Sequence, residues 1–481
     1  MKVPMWTHNR ERLLKLLIES NANINAQDEK QQTPLHLVIQ KKKHRMLQIL
    51  LTYHPDVNMI DYLKRTPIHV ACEHLLRTNI LFESLLKNMK NINAKDFNKR
   101  TPLHIACLKS TNNDMIKLLL KYKAKVNVKD RYNMTPLHGA CMRRNEQIIR
   151  MLLEKKARVN VKDDYGRTPL HLAALVSLNR NVIQLLLKHR AKVNALTTFQ
   201  ESPLHHACKV KDNEMTIDVL LSHGAKVNVK DISLMTPLHY VCKHNLGYRV
   251  IDSLFKYKAT VDVTDTQAQT PLHLAAKTCY HTVVNRLLNH GANVDPKDTQ
   301  SCTPLHYAAM YNKDKEVALC LLQHQANVHA RDMYDRTPLY YASTKYNTSD
   351  VIKVLLDHGA DPNETYINDE PLVFTNNSRS LDVLLSHGAD VNACNRQGQT
   401  PLHFTCSTCF SSFFTNSNDI IFVLLKHHAD IRALDRHGCT PIDYALRYSE
   451  KMRTILNYDQ SFVHDIVSSK SLLHRVLDIQ F

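Results

Sequence analysis

Residues 168–174 read Thr-Pro-Leu-His-Leu-Ala-Ala, and versions of this stretch recur along almost the whole chain. Its proline marks thirteen copies: Pro34, Pro67, Pro102, Pro136, Pro169, Pro203, Pro237, Pro271, Pro304, Pro338, Pro371, Pro401 and Pro441. The first ten intervals between successive prolines are 33 to 35 residues, and the last two are 30 and 40 residues. A period held this closely indicates a fold built from stacked repeats.

The residues of one copy predict its local structure. Thr168 suits a helix N-cap, because its hydroxyl can accept a hydrogen bond from the first turn, and Pro169 suits the first helical position. The apolar residues within 170–174 form one helical stripe, and a second helix is expected at 182–187. The extended segment 191–194 then leads to the next copy. Because one such unit cannot cover its own apolar face, neighbouring units have to stack.

Two motifs carry a family resemblance: Thr-Pro-Leu-His-x-Ala, and Leu-Leu-Leu-x-x-Gly-Ala-x-Val-Asn. With these motifs at this period, the chain resembles the ankyrin-repeat family. The resemblance implies an all-α solenoid of stacked helix-turn-helix units with finger-like β-hairpin loops. It also implies that a concave surface, made of fingers and first helices, grips a partner. The copies at residues 337–340, 370–373 and 440–443 lack the histidine, and we expect looser turns there.

The repeats divide the chain into three predicted segments. Residues 1–32 form an N-terminal half repeat or cap, with the second helix of a repeat at Glu11–Ser20. Residues 33–460 form an array of about 13 repeats. Residues 461–481 form a capping helix or tail, because a terminal repeat must cover its apolar outer face. The alternative is that the chain is the ankyrin part of a larger channel-like or toxin-like protein.

The histidines and cysteines follow the repeat, which favours structural roles. Six cysteines share the position of Ala174 and are expected to be buried: Cys72, Cys107, Cys141, Cys208, Cys242 and Cys406. Ten histidines share one position: His36, His69, His104, His138, His171, His205, His239, His273, His306 and His403. Neighbours in this row lie roughly 10 Å apart, too far to share a metal ion, whose bonds to nitrogen are about 2.1 Å. We therefore expect no metal and no cofactor; the family resemblance implies that each histidine ties its turn to the neighbouring repeat.

The turn after each second helix requires a left-handed residue, for which glycine is best suited. Four repeats supply it with Gly224, Gly291, Gly359 and Gly388. Eight others place a larger residue there: His54, Met89, Lys123, Lys156, Arg190, Lys258, Gln325 and His428. Each is expected to cost about 1 kcal/mol, which predicts lower stability per repeat in the N-terminal half.

Positive charge is concentrated in the middle repeats. Residues 87–230 hold 28 Lys and Arg against 11 Asp and Glu, whereas the rest of the chain holds 35 against 34. One column of cations precedes the Val-Asn pair of successive repeats: Lys125, Arg158, Lys192 and Lys226. A second column precedes the aspartate of the finger: Lys95, Lys129, Lys162 and Lys230. We name these sets the first column and the second column.

Three interpretations of the two columns stay open. They are a solvated basic face, the recognition surface for an acidic protein, or a binding surface for a polyanion, either nucleic acid or an anionic membrane, at residues 87–230. Cations at a fixed spacing can follow phosphates. Against nucleic acid, we expect no aromatic residues interleaved at the tips of the fingers, where bases would stack.

Two C-terminal features are further candidates for partner binding. The excess length of the Pro401–Pro441 interval falls in residues 407–416, where Phe410, Phe413 and Phe414 could anchor a partner or fold back on their own helices. Some viral and insect ankyrin-repeat proteins end in an F-box-like segment that recruits a ubiquitin ligase. Residues 461–481 are short for such a segment, so the role of substrate adaptor remains an alternative.

Known catalytic motifs are absent from the sequence. No G-x-x-x-x-G-K-[ST], G-x-S-x-G or H-E-x-x-H occurs, so we expect no enzymatic activity. The main hypothesis is a monomeric scaffold or adaptor that binds a protein partner. Buried thiols and the lack of an apolar leader favour a cytoplasmic location. The basic cluster at residues 41–45 leaves a nuclear location open.

Overall fold

The computed structural model describes residues 5–74, 79–109, 113–176, 180–345, 348–366, 370–407, 417–446 and 448–458. The chain divides into two compact units, Met1–Ile232 and Ser233–Phe481. In each unit, a first helix begins at the proline of a copy and a second helix follows it. We call the segment between a second helix and the next first helix a finger.

The N-terminal unit is a stack of helix pairs. Its helices are α1 (Met5–Glu19), α2 (Pro34–Gln40), α3 (His44–Thr52), α4 (Pro67–His74), α5 (Asn79–Lys87), α6 (Pro102–Lys109), α7 (Asn113–Lys121), α8 (Pro136–Met142), α9 (Glu146–Glu154), α10 (Pro169–Ala174), α11 (Arg180–Lys188), α12 (Pro203–Ala207) and α13 (Glu214–Ser222). The even-numbered first helices pack against one another in succession, and so do the odd-numbered second helices. This two-layer arrangement confirms the all-α repeat stack for this unit.

The C-terminal unit repeats the arrangement with one exception. Its elements are α14 (Pro237–His244), α15 (Tyr248–Lys256), α16 (Pro271–Thr278), α17 (His281–Asn289), α18 (Pro304–Tyr311), α19 (Lys315–Gln323), α20 (Pro338–Ser343), α21 (Ser349–Asp357), β1 (Thr365–Tyr366), β2 (Glu370–Pro371), α22 (Ser378–Ser386), α23 (Pro401–Ser407), α24 (Ser417–Lys426), α25 (Pro441–Ala445) and α26 (Ser449–Tyr458). The exception is the copy at Pro371, whose described residues contain no first helix.

Apart from α2, whose Pro34 is half-buried, each first helix is buried from its first residue. In α10, Leu170, Ala173 and Ala174 have no exposed surface, and small residues at the last two positions let neighbouring helices approach closely. The six cysteines predicted to share the position of Ala174 are likewise fully buried, and none of the six forms a disulfide. Burial raises the pKa of the Cys406 thiol to about 12, so it remains protonated and behaves as a small apolar group.

In nine of the copies, a histidine links its own helix to the next repeat. In His171, Nδ1 accepts hydrogen bonds from the Thr168 backbone N–H (3.1 Å) and hydroxyl (2.9 Å), while Nε2 donates to the Glu201 carbonyl (3.2 Å). The threonine hydroxyl therefore donates to the ring, and in the same capping box it also accepts from the His171 backbone N–H, as expected for an N-cap. The equivalent Nε2 bond, at 3.0 to 3.3 Å, recurs at eight other positions: His36, His69, His104, His138, His239, His273, His306 and His403.

The fingers are turns, with little regular β-hairpin structure. In the finger of the Pro169 copy, the Asp163 N–H donates to the Arg167 carbonyl, and the Gly166 N–H donates to the Asp163 carbonyl. Among the described residues, only β1 and β2 pair as strands, antiparallel, with Thr365 opposite Pro371. The fingers are thus less regular than the β-hairpins that we expected. The N–H of the residue directly after the aspartate instead donates to a carbonyl of the neighbouring finger, as the Asp164 N–H does to Tyr132.

Two of the three copies without histidine still form a first helix. At Thr440, the backbone N–H (2.7 Å) and hydroxyl (2.9 Å) both donate to Asp443 Oδ2, as they do to a histidine elsewhere. At Thr337, the hydroxyl accepts from the Tyr340 N–H at 3.3 Å. Only at Pro371, where the interval is shortest, does the described chain lack the helix.

Left-handed turns follow the second helices as expected, with one exception. All four glycines named for this position have positive φ, as do His54, Lys123, Lys156, Arg190, Lys258, Gln325 and His428 at +52° to +66°. Met89 does not adopt this conformation. In several repeats the preceding histidine completes the helix end. For example, Nδ1 of His223 donates to the Val219 carbonyl at 2.8 Å.

We predict that Lys156→Gly stabilises the N-terminal unit by about 1 kcal/mol, because Lys156 is exposed and holds φ +60°. The matched control is Lys155→Gly. Lys155 is the preceding residue and has φ −83°, so glycine there only adds freedom to the unfolded chain. Urea unfolding should separate the two variants. If the two variants changed the stability equally, or if Lys155→Gly were the more stable of the two, the left-handed turn would carry no strain.

We also predict that acid destabilises the repeats between about pH 6.5 and 4. Burial lowers the pKa of seven linking histidines, to about 4 for His69, His104 and His138. Because the unfolded chain binds more protons, the stabilisation is complete above pH 6.5 and is lost as the pH falls towards 4.

The variant His138→Gln tests this linkage. It removes one titrating group, so the slope of unfolding free energy against pH should flatten by about 1.4 kcal/mol per pH unit between pH 6 and 4.5. Urea midpoints at four pH values would measure it. An unchanged slope would mean that His138 does not stay neutral in the folded state.

Candidate binding surface

The first column is fixed to the scaffold through its backbone. The N–H groups of Lys125, Arg158, Lys192 and Lys226 each donate, at 2.8 Å, to the side-chain oxygen of the asparagine one finger earlier. Those asparagines are Asn93, Asn127, Asn160 and Asn194. In the sequence, the Val-Asn pair is visible only as part of a motif. The structure shows that its asparagine connects consecutive repeats.

Three of these asparagines, Asn127, Asn160 and Asn194, also donate. Nδ2 of Asn160 bonds to the Arg190 carbonyl at 3.0 Å, and Nδ2 of Asn194 bonds to the Gly224 carbonyl at 2.9 Å. The side-chain amides of Asn160 and Asn194 therefore each form hydrogen bonds with two backbone groups of the next left-handed turn, one carbonyl and one N–H. Because the four backbones of the first column are held identically, their side chains start from equivalent positions in successive repeats.

The side chains of the first column are all exposed. Among the described residues, none of the four forms an ion pair with a carboxylate. Arg158 lines an open cleft of about 600 Å³, together with Lys156 and His189. The cleft is otherwise lined by Leu153 and by residues 157–161, so it lies beside the ends of second helices and not on first helices.

The second column lies at the base of the finger turns. Each lysine is exposed and precedes an aspartate that organises the turn. Asp163, for example, accepts from the backbone N–H groups of Tyr165 and Arg167 at 3.0 and 2.8 Å, and pairs with the Arg167 side chain. In this column, Nζ of Lys162 donates to the Leu196 carbonyl of the next finger at 2.7 Å.

The structure corrects the expectation that the finger tips lack aromatic residues. Five consecutive fingers each present one exposed aromatic ring, with 48 to 56% of its surface accessible. We call this set the tip row: Tyr62, Phe97, Tyr132, Tyr165 and Phe199. The rings occupy two alternative positions, one or two residues after the residue that begins the turn. Reading a single position in each repeat therefore misses the row.

The remaining candidates lie outside the described residues. These are Phe410, Phe413, Phe414 and the tail at 461–481. Within the described part of the chain, no group of three or more His, Cys, Asp or Glu residues is placed to hold a metal ion. No helix in that part is long and apolar enough to cross a membrane.

Comparisons with known proteins agree with this geometry. The family profile described as "Ankyrin repeats (3 copies)" matches residues 5–96, 76–163, 114–197, 156–231, 230–298, 295–366 and 372–464. The chain therefore belongs to the ankyrin-repeat family, whose members are generally protein–protein interaction modules. The comparison with curated proteins returns no match.

Among solved structures, the human ASB11 ankyrin repeat domain is similar to this chain at 28% sequence identity. The match covers 47% of this chain and 98% of that domain, with a TM-score of 0.42.

We predict that Asn160→Ala destabilises the N-terminal unit by about 1 to 2 kcal/mol, because it removes two hydrogen bonds between repeats. Asn160→Asp should lose less stability, because a carboxylate oxygen can still accept the hydrogen bond from the Lys192 N–H. Asp295 already accepts from the Asn327 N–H in this way. Chemical denaturation would rank the three proteins. Equal stability of Asn160→Ala and the parent would contradict the role assigned to the asparagine.

Proposed function

We propose that this chain is a non-catalytic scaffold that binds an acidic protein through the first column. The observation that carries the proposal is the equivalent placement of four exposed cations in successive repeats. A rigid row of like charges favours a partner with carboxylates at a matching spacing, and steers the encounter between them.

Preorganisation supports this assignment. The backbone of each cation is already hydrogen-bonded to the preceding finger, so binding orders only the side chains. Since the loss of conformational freedom opposes association, a surface held in place before binding gains affinity. The row also avoids neutralisation by the chain's own carboxylates, because none of its four side chains is paired among the described residues.

The cleft at Arg158 is the best-formed part of this surface. Arg158 and Lys156 provide cations above a floor that includes Leu153, Ala157 and Val159. A guanidinium can bind a carboxylate with two parallel hydrogen bonds, and the apolar floor can receive the aliphatic part of the same side chain. We therefore assign an acidic side chain of the partner to this cleft.

We predict that reversing the first column reduces recovery of protein partners at least about tenfold in a nuclease-treated pull-down from source-cell lysate. The variant is Lys125→Glu, Arg158→Glu, Lys192→Glu and Lys226→Glu. The matched control makes the same change of charge at exposed residues in the turn between α2 and α3 and in the first turn of α3: Lys41→Glu, Lys42→Glu, Lys43→Glu and Arg45→Glu.

Partners lost only with the first column would support the proposal, and raising the salt concentration should then weaken their binding to the parent protein. Equal recovery by both variants would overturn it. In that case the first column is a solvated surface, and the candidates at residues 407–416 and 461–481 become the ones to test.

A further inference from the structure

The tip row forms a second surface at the finger tips of the N-terminal unit. The first column, by contrast, lies on the finger stems, next to the ends of the second helices. Its five rings follow one another in consecutive repeats. Hydrogen bonds between neighbouring fingers hold them in order. The Phe97 N–H donates to the Leu63 carbonyl at 2.8 Å, and the Thr198 N–H donates to the Tyr165 carbonyl at 2.9 Å. The rings are thus exposed on a backbone that is already fixed.

Cations lie in the finger turns of the first four rings, Tyr62 to Tyr165, and most carboxylates of these turns are buried or half-buried. Between residues 61 and 167, the finger turns expose six cations: Lys64, Lys95, Lys99, Lys129, Arg131 and Lys162. The same turns expose one carboxylate, that of Asp164. Their other aspartates lie inside the turns, where Asp61, Asp96 and Asp163 are paired with arginines of their own fingers.

Rings and cations also contact one another. The Arg131 guanidinium lies 5.8 Å from the centre of the Phe97 ring, one finger away, and the Arg167 guanidinium lies 4.9 Å from the Tyr165 ring. A ligand that covers one ring therefore also meets a positive charge. Aromatic rings and cations therefore recur along this surface at the spacing of the repeat.

We propose that the tip row, with the cations beside it, binds single-stranded nucleic acid. Each nucleotide carries one flat base and one phosphate, which are the groups that an aromatic ring and a neighbouring cation recognise. A double helix fits poorly, because its bases are stacked inside and cannot reach the rings. An acidic peptide would match the charge, but only nucleic acid offers a flat ring with every negative charge.

The dimensions suit a short strand. Neighbouring repeats are roughly 10 Å apart, and a stacked strand advances about 3.4 Å per nucleotide, so each ring meets about every third base. Five rings then span about twelve nucleotides. Since this surface is distinct from the first column, the proposal does not depend on the protein-binding function.

We predict that the full chain binds a fluorescein-labelled 16-nucleotide oligouridine, measured by fluorescence anisotropy, and that oligothymidine separates RNA from DNA. A 16-base-pair duplex should bind at least tenfold more weakly. With six cations engaged, the slope of log affinity against log salt should be about −4.

The ring variant is Phe97→Ser, Tyr132→Ser and Tyr165→Ser, and it should weaken single-strand binding at least about 100-fold while leaving the salt slope unchanged. The matched control removes three exposed aromatics away from the N-terminal finger tips: Tyr257→Ser, Tyr280→Ser and Phe422→Ser. The conservative variant Phe97→Tyr, Tyr132→Phe and Tyr165→Phe should keep affinity within about threefold, and it covers the case in which the ring variant fails to fold.

Absence of binding by the parent at low salt would overturn the proposal. Equal binding of duplex and single strand, or equal loss with the control variant, would also overturn it, because non-specific attraction to polyanions would then be sufficient. If the ring variant instead loses the partners recovered in the nuclease-treated pull-down, the tip row belongs to the protein interface and the assignment to nucleic acid is wrong.

Discussion

The hydrogen bond from a buried histidine to the next repeat is the constraint on which the other features depend. Nδ1 accepts from the backbone N–H of the capping residue, which is always a donor, so the neutral ring must carry its proton on Nε2. That proton is then directed to a carbonyl at the base of the following finger. One side chain thereby sets the start of a helix, the tautomer of the ring and the distance to the next repeat.

The binding surfaces follow from this spacing. Once each finger is held to its neighbour, the asparagines fix the stems and the backbone bonds between fingers fix the tips. Any side chain placed at one position of the repeat then forms a row. The same scaffold can carry one row of cations on its stems and one row of rings on its tips. For this reason we assign different ligand chemistries to the two surfaces.

Much of this architecture could be predicted from the sequence, because the period and the Thr-Pro-Leu-His motif determine both helices. The concentration of charge was also visible. The tip row was missed, because its rings lie at two different turn positions, as Phe97 and Tyr132 do, and their exposure depends on how the turn folds. The replacement of histidine by Asp443 was missed for another reason: a carboxylate and a ring nitrogen are equivalent acceptors only once the capping geometry is known.

The central claim is that the linking histidines are neutral, protonated on Nε2 and bonded to the next repeat. Nitrogen NMR of the chain with labelled histidine rings tests it most directly. Our account predicts Nδ1 without a proton and Nε2 with one at pH 7, and pKa values of about 4 for His69, His104 and His138. Rings that average both tautomers and titrate near the ordinary value of about 6.5 would contradict it.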